Sequence, residues 1–186
     1  NNDVFDTDTQ RLAFRHYIEA GGGFVGVHSV TGTERKWDWF KMMVGETFTW
    51  HAKFQPFSVI NIDPAHPSLK GVPTKWTKED ECYFGAELYP GIKTLLMHDV
   101  STLDQAQKDI ITKHKGIYGN YFPAAWTQHF QGGHIWVTTL GHAKENYQEP
   151  VYLNHLWQGI NYIAGQVKAI DYSKATSQGR DEGLKF

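Results

Sequence analysis

The 186-residue chain has one cysteine, Cys82, so no intrachain disulfide can form, and cysteine usage says nothing about the redox compartment. No apolar run approaches the ~20 residues that cross a bilayer, and no signal peptide opens the chain. Net charge is -2 with a pI near 6.6, which leaves no basic footprint for nucleic acid or an anionic membrane. There is no internal repeat, no low-complexity tract and no His-Glu-x-x-His spacing. What the chain does have is a 40% hydrophobic share against 20% charged, enough for a packed core. It also has ten histidines and seven tryptophans. Aromatics enlarge a core, and they also line sugar-binding clefts; composition does not separate the two.

Asp6 or Thr7 can cap a helix running to about Ala20, with Leu12, Phe14, Tyr17 and Ile18 as its buried stripe. Gly21-Gly22-Gly23 stops that helix. Phe24-Val25-Gly26-Val27 then reads as a short, fully buried strand ending at His28-Ser29. Helix, glycine turn, buried strand and polar residue is the order found in open parallel sheets, where ligands sit beyond the carboxyl ends of the strands. A short helix is expected over Trp37–Val44, and strands over Phe57–Asp63 and Ile92–Met97. Asp63-Pro64-Ala65-His66-Pro67 reads as a loop, Lys75–Phe84 is ambiguous, and Ser101–Lys115 reads as a polar loop with a helical turn. Phe122–Phe130 and His134–Leu140 are strand-like, joined by a turn at Gln131-Gly132-Gly133. A last helix starts at Pro150 and runs to about Ala164 with Leu153, Leu156, Trp157, Ile160 and Ile163 on one face. One domain, 1–165, and a polar C-terminal tail or linker, 166–186, follow from this.

Five short runs resemble, in order, the trehalose-utilisation (ThuA-like) family. They are Gly21-Gly22-Gly23-Phe24-Val25-Gly26-Val27-His28-Ser29; Asp63-Pro64 with His66-Pro67; Asp80-Glu81-Cys82-Tyr83; Pro123-Ala124-Ala125-Trp126; and Thr138-Thr139-Leu140-Gly141-His142 followed by Glu145 and Tyr147. The likeness covers about Val4 to Gly165. It implies an α/β fold: a three-layer, open, mostly parallel sheet with helices on both faces, of the class I glutamine amidotransferase-like or flavodoxin-like kind, lacking its first strand–helix–strand unit. A chain truncated in this way would expose an apolar face, and a homo-oligomer is the expected consequence. In the amidotransferases a Gly-x-Cys-x-Gly turn presents the nucleophile. Here Gly26-Val27-His28-Ser29-Val30 occupies that turn with a histidine, so glutaminase chemistry, which needs a thiolate, is not expected. The resemblance implies a role in catabolism of disaccharides or glucosides, around trehalose and its 3-keto derivatives.

His28, His98 and His142 each fall at an expected strand end, and His51 lies in an aromatic run. His28 reads as a general base or a ligand at the elbow, or as a buried histidine shaping the turn. His142 with Glu145, three positions on, has the shape of an imidazole oriented by a carboxylate, or of a helix-entry salt link. Asp80 and Glu81 are adjacent, so on a strand at most one faces a cleft; Glu81 is the preferred acid or base, the alternative being a solvated loop charge. The catalytic set is therefore His28, His142, Glu81 and Glu145. Ser29, His51, Trp126 and Tyr147 are assigned to substrate. Of Trp37 and Trp39, two apart on a helix, one is expected in the core. Convergent imidazoles at His28, His51 and His142 would suit a divalent metal such as zinc, with Glu81 or Asp80 completing the shell or acting as base; the alternative is that they hydrogen-bond loops or sugar directly. Gly21–Gly23 precedes a strand, the wrong order for a phosphate cradle, so no nucleotide is expected. Two functions remain open: an enzyme moving a proton next to the carbonyl of a keto-sugar, by isomerisation or cleavage, or a non-catalytic sugar-binding or regulatory domain. A metal-independent hydrolase is a third.

Overall fold

The structure, a computed structural model, describes residues 3–113 and 119–183; His114 and Lys115 of the expected polar segment lie outside the described residues. Helix α1 (Asp8–Glu19) starts where the capping signal placed it: the Thr7 hydroxyl accepts from Gln10 N–H, and the Gln10 side chain accepts from Thr7 N–H. Its buried face differs from the expected stripe. Arg11 and Arg15 are sunk beside Ile18, while Leu12, Phe14 and Tyr17 are half-buried. The reason is pairing. Arg11 Nε donates to Glu34 at 2.7 Å, and Glu34 also accepts from Val4 and Phe5 N–H. Arg15 donates to Glu19 and to the carbonyl of Arg180, in the tail that runs back across α1. Buried charge is tolerated where it is paired and hydrogen-bonded.

The strands are β1 (Gly23–Val27), β2 (Glu46–His51), β3 (Gln55–Asn61), β4 (Lys75–Asp80), β5 (Tyr83–Leu88), β6 (Lys93–Asp99), β7 (Tyr121–Phe130) and β8 (Gly133–Thr138). Six of them form one sheet in the order β1-β8-β7-β6-β3-β4; β2 and β5 form a separate antiparallel pair. The sheet is mixed, not mostly parallel. Only β1–β8 pairs parallel, and the other four pairings are antiparallel. Several connections are too short for helical crossovers. β7 and β8 are joined by the two-residue turn Gln131-Gly132, both at positive φ (45° and 98°), which only antiparallel neighbours can use. Even so, following the pairings across the sheet shows that β1, β8, β6 and β4 all run the same way. Their carboxyl ends, Val27, Thr138, Asp99 and Asp80, gather at one edge.

β1 is half-buried, not fully buried, because it is an edge strand bonded only to β8. Helix α2 (Asp38–Val44) and α1 cover one face of the sheet, and α4 (Pro150–Gln166) the other. On β8, Ile135 and Val137 join the cluster of Ile18, Phe40 and Met43, whereas Trp136 joins that of Tyr152 and Ile163, as the two-residue period of a strand requires. Helix α3 (Gln105–Lys113) follows β6. Trp37 and Trp39 are both fully buried and stack at 5.1 Å. Trp37 is the extended N-cap of α2, so helical spacing does not separate them. α4 starts at Pro150 as expected but turns a different side inward: Tyr152, His155, Gly159 and Ile163 are buried, while Leu153, Trp157 and Ile160 are 44%, 59% and 47% exposed. Gly159 lies flat on the Trp136 ring, where a Cβ would come within 2.6 Å.

Candidate functional site: an imidazole–carboxylate cluster at the strand ends

His28 follows the last residue of β1 and takes φ +50°, the left-handed region that non-glycine residues rarely enter. Its Nδ1 donates to the Thr139 carbonyl at 2.9 Å. In the neutral ring that leaves Nε2 with its lone pair, facing the Tyr83 hydroxyl at 2.8 Å. Burial holds the imidazole below its ordinary pKa, against the raising effects of the Thr139 carbonyl and Asp80. One layer behind, fully buried His98 meets the Thr139 hydroxyl at 3.2 Å, and burial pushes its pKa down to about 3. His98 therefore backs the strand end and does not open to the cleft.

Glu81 sits in the two-residue link between β4 and β5, with its side chain 12% exposed. Its Oε2 lies 3.1 Å from His142 Nδ1 and 3.7 Å from His28 Nε2, and Oε1 lies 3.4 Å from His51 Nδ1. His142 Nδ1 and His28 Nε2 are 3.2 Å apart. One ligand atom from each of His28, Glu81 and His142 falls within 4.8 Å of the others, the arrangement that could hold a metal ion. His51 reaches only the far oxygen of Glu81 and also meets the Ala52 carbonyl at 3.0 Å. It sits outside that triangle.

The cluster is held by its neighbour Asp80. Fully buried, Asp80 accepts from Glu81 N–H and His142 N–H with Oδ1, at 2.9 and 3.0 Å, and from Gly141 N–H with Oδ2 at 2.7 Å. The ammonium of fully buried Lys78 lies 3.6 Å from it and 2.9 Å from Glu149. Gly141 is at φ +109°, and a Cβ there would fall 1.9 Å from the Tyr152 hydroxyl, which itself donates to the Leu140 carbonyl. Glycine is the only residue this loop admits.

Of the residues singled out from sequence, the fold brings His28, Glu81, His142 and, at one remove, His51 together. Four others lie elsewhere. Glu145 does not orient His142: residues 144–148 form a 3₁₀ turn that puts Glu145 in solvent beside Lys144, and Glu81 takes its expected place. Tyr147 donates to the Gly141 carbonyl at 3.3 Å and shapes the loop. Ser29 is exposed and lines an apolar groove with Phe24, Val30 and Phe40 beside the β1 edge. Trp126 is no sugar platform; it is fully buried, its indole N–H donating to the Val44 carbonyl at 2.7 Å. No local pattern singles out Tyr83; the pairing of β2 with β5 sets it opposite His51, and its hydroxyl meets His28 Nε2. Burial, with Glu81 and Asp80 nearby, keeps its phenol protonated. Cys82 is fully buried, and burial raises its thiol well above the ordinary value, so no thiolate nucleophile is on offer.

The family profile described as trehalose utilisation (ThuA) matches residues 1–163. Among solved structures, a ThuA-like protein of Bacteroides uniformis ATCC 8492 superposes with a TM-score of 0.71 at 21% identity, over 92% of this chain and 70% of that one. A ThuA-like protein of Parabacteroides merdae ATCC 43184 gives 0.68 at 21% identity, over 91% and 70%. A cytoplasmic protein of Salmonella typhimurium gives 0.55 at 13%, over 86% and 62%. No curated protein matches. At these identities the structural likeness speaks for the fold, and the profile match across most of the chain settles the lineage: the chain belongs to the ThuA, or trehalose-utilisation, family.

Proposed function

We propose that this chain acts in carbohydrate catabolism by moving a proton on a sugar derivative, next to the carbonyl of a keto-sugar drawn from trehalose or another glucoside. The observation that carries this reading is the contact of one carboxylate with two imidazoles, Glu81 between His142 and His28, at an edge where four strand ends meet. Proton abstraction beside a carbonyl needs a base near the reacting carbon and a donor or cation near the oxygen. Glu81 or His28 serves as base. His142 or the Tyr83 hydroxyl serves the oxygen, since the phenol is protonated and already donates into the cluster. His142, with its side chain 47% exposed, and the exposed ring of Phe54 at 6.0 Å form the rim that a sugar face would meet.

Incubation with 3-keto-trehalose in deuterated water tests this directly. Deuterium enters the carbon adjacent to the ketone, and Glu81→Gln lowers the rate by about 10²–10⁴-fold. Absence of both exchange and product removes the proposal. The same rim would also serve a non-catalytic sugar-binding module. That reading gives a sugar-dependent rise in melting temperature without turnover.

A further inference from the structure

We infer that the His28–Glu81–His142 triangle is a binding site for a divalent cation of the zinc class. This rests on the reading of that cluster as the functional site and adds the ion that completes it.

The first argument is geometric. An ion bound to nitrogen and oxygen at about 2.0–2.2 Å in a tetrahedral shell holds its ligand atoms about 3.3–3.5 Å apart. The three edges of the triangle, 3.1, 3.2 and 3.7 Å, bracket that spacing. The second argument is electronic. His28 gives its Nδ1 hydrogen to the Thr139 carbonyl, so Nε2 keeps a lone pair, which the Tyr83 hydroxyl now meets at 2.8 Å. Glu81 Oε2 presents another, and neutral His142 presents a third when its hydrogen is on Nε2. All three atoms are thus available as electron-pair donors to one ion once the Tyr83 hydroxyl turns away from Nε2. The Thr139 contact also has the form that ligating histidines take, with the second ring nitrogen donating to a carbonyl.

The third argument is rigidity. Asp80 grips the backbone N–H of both Glu81 and His142 through a single oxygen. His28 is set by its position directly after β1, and by its positive φ. The donors are thus assembled by the fold before any ion arrives, which lowers the cost of binding. Two imidazoles and one carboxylate form the three-ligand set of a catalytic zinc site, with a position left open. It opens towards solvent on the side of His142, the most exposed of the three. His51, included in the ligand set expected from sequence, lies outside the triangle; it meets the other carboxylate oxygen of Glu81 and orients it. With an ion in place, the Tyr83 hydroxyl, now 2.8 Å from His28 Nε2, is released to a water or sugar oxygen at the open position.

The test reads metal, not sugar turnover. The protein is stripped with a chelator, dialysed, and titrated with Zn²⁺ by calorimetry and with Co²⁺ by visible absorption. About one equivalent binds, and Co²⁺ gives the intense bands of a four- or five-coordinate site. His142→Ala and Glu81→Gln each weaken binding about 100-fold or more, while His129→Ala, at the distant His129–His134 pair, leaves it unchanged. Circular dichroism reports folding of each variant, and the near-isosteric Glu81→Gln keeps the test decisive if His142→Ala does not fold. Failure of the wild type to bind either ion below about 100 μM overturns the inference. So does binding that survives in Glu81→Gln but disappears in His129→Ala. Deuterium exchange that persists in stripped protein without any metal binding defeats the cation alone. Metal binding without exchange defeats the proton-transfer reading alone.

Discussion

Asp80 is fully buried, and its two oxygens fasten the backbone of Gly141, His142 and Glu81 and so hold the His142 and Glu81 side chains at their separation in the candidate site. From sequence, strand alternation favours its neighbour Glu81, but β4 ends at Asp80 and Glu81 lies in the link beyond it, so turn geometry and not alternation separates the two carboxylates. The role of Asp80 itself was illegible because the loop it grips lies about sixty residues further along the chain. A second buried carboxyl has the opposite character. Glu46, almost wholly buried at the start of β2, has no hydrogen-bond partner for either oxygen among the described residues, and Gly85 leaves the space its side chain fills. Burial raises its pKa from 4.5 to about 8, with buried Cys82 as its ionisable neighbour. The folded state therefore holds a proton that the unfolded chain releases. The stability this contributes is complete below about pH 4.5 and is lost as pH rises towards 8. Chemical denaturation across that window should show a falling midpoint, and Glu46→Gln should flatten the fall. An unchanged slope in the variant would place the pH dependence elsewhere.

At the scale of elements, boundaries were easier to read than faces. Thr7 with Gln10, Pro150 and the Gln131-Gly132 turn act within a few residues of themselves, through caps and backbone angles, and they appear where local rules put them. Which stripe of α4 faces inward is another matter. The helix carries apolar residues on two sides and none of Asp, Glu, Lys or Arg, so periodicity alone cannot choose. The choice was made by Trp136, whose ring needs a flat partner and finds Gly159. Gly159→Ala should consequently cost about 1–3 kcal/mol by overpacking, although alanine is the better helix former. Urea denaturation checks it; a stabilised variant would show that the ring yields. Likewise α1 buries arginines where an apolar stripe was expected, because Glu34 and the carbonyls of Gly179 and Arg180 supply partners from afar.

For the whole molecule, two surfaces stand out among the described residues: the groove beside the open edge of β1 and the exposed stripe Leu153, Trp157 and Ile160 on α4. An uncharged apolar stripe of this kind complements a second copy of itself. Self-association that grows with protein concentration is the expected behaviour in light scattering, and Trp157→Lys should reduce it. A wild type that stays monomeric at high concentration would contradict the expectation.

Residues close in sequence settled the helix caps, the tight turn, the strand at Phe24–Val27 and the candidacy of His28, His142 and Glu81, because caps, turns and periodic patterns act over a few positions. The resemblance carried by the runs around them led to the family. Tertiary structure decided the rest. It made the sheet mixed while still aligning four carboxyl ends, gave Glu145's expected place beside His142 to Glu81, buried Trp126, and brought Tyr83 to His28. Each of those outcomes depends on strand order and register. These are fixed by packing and hydrogen bonding between segments tens of residues apart, and no local pattern encodes them.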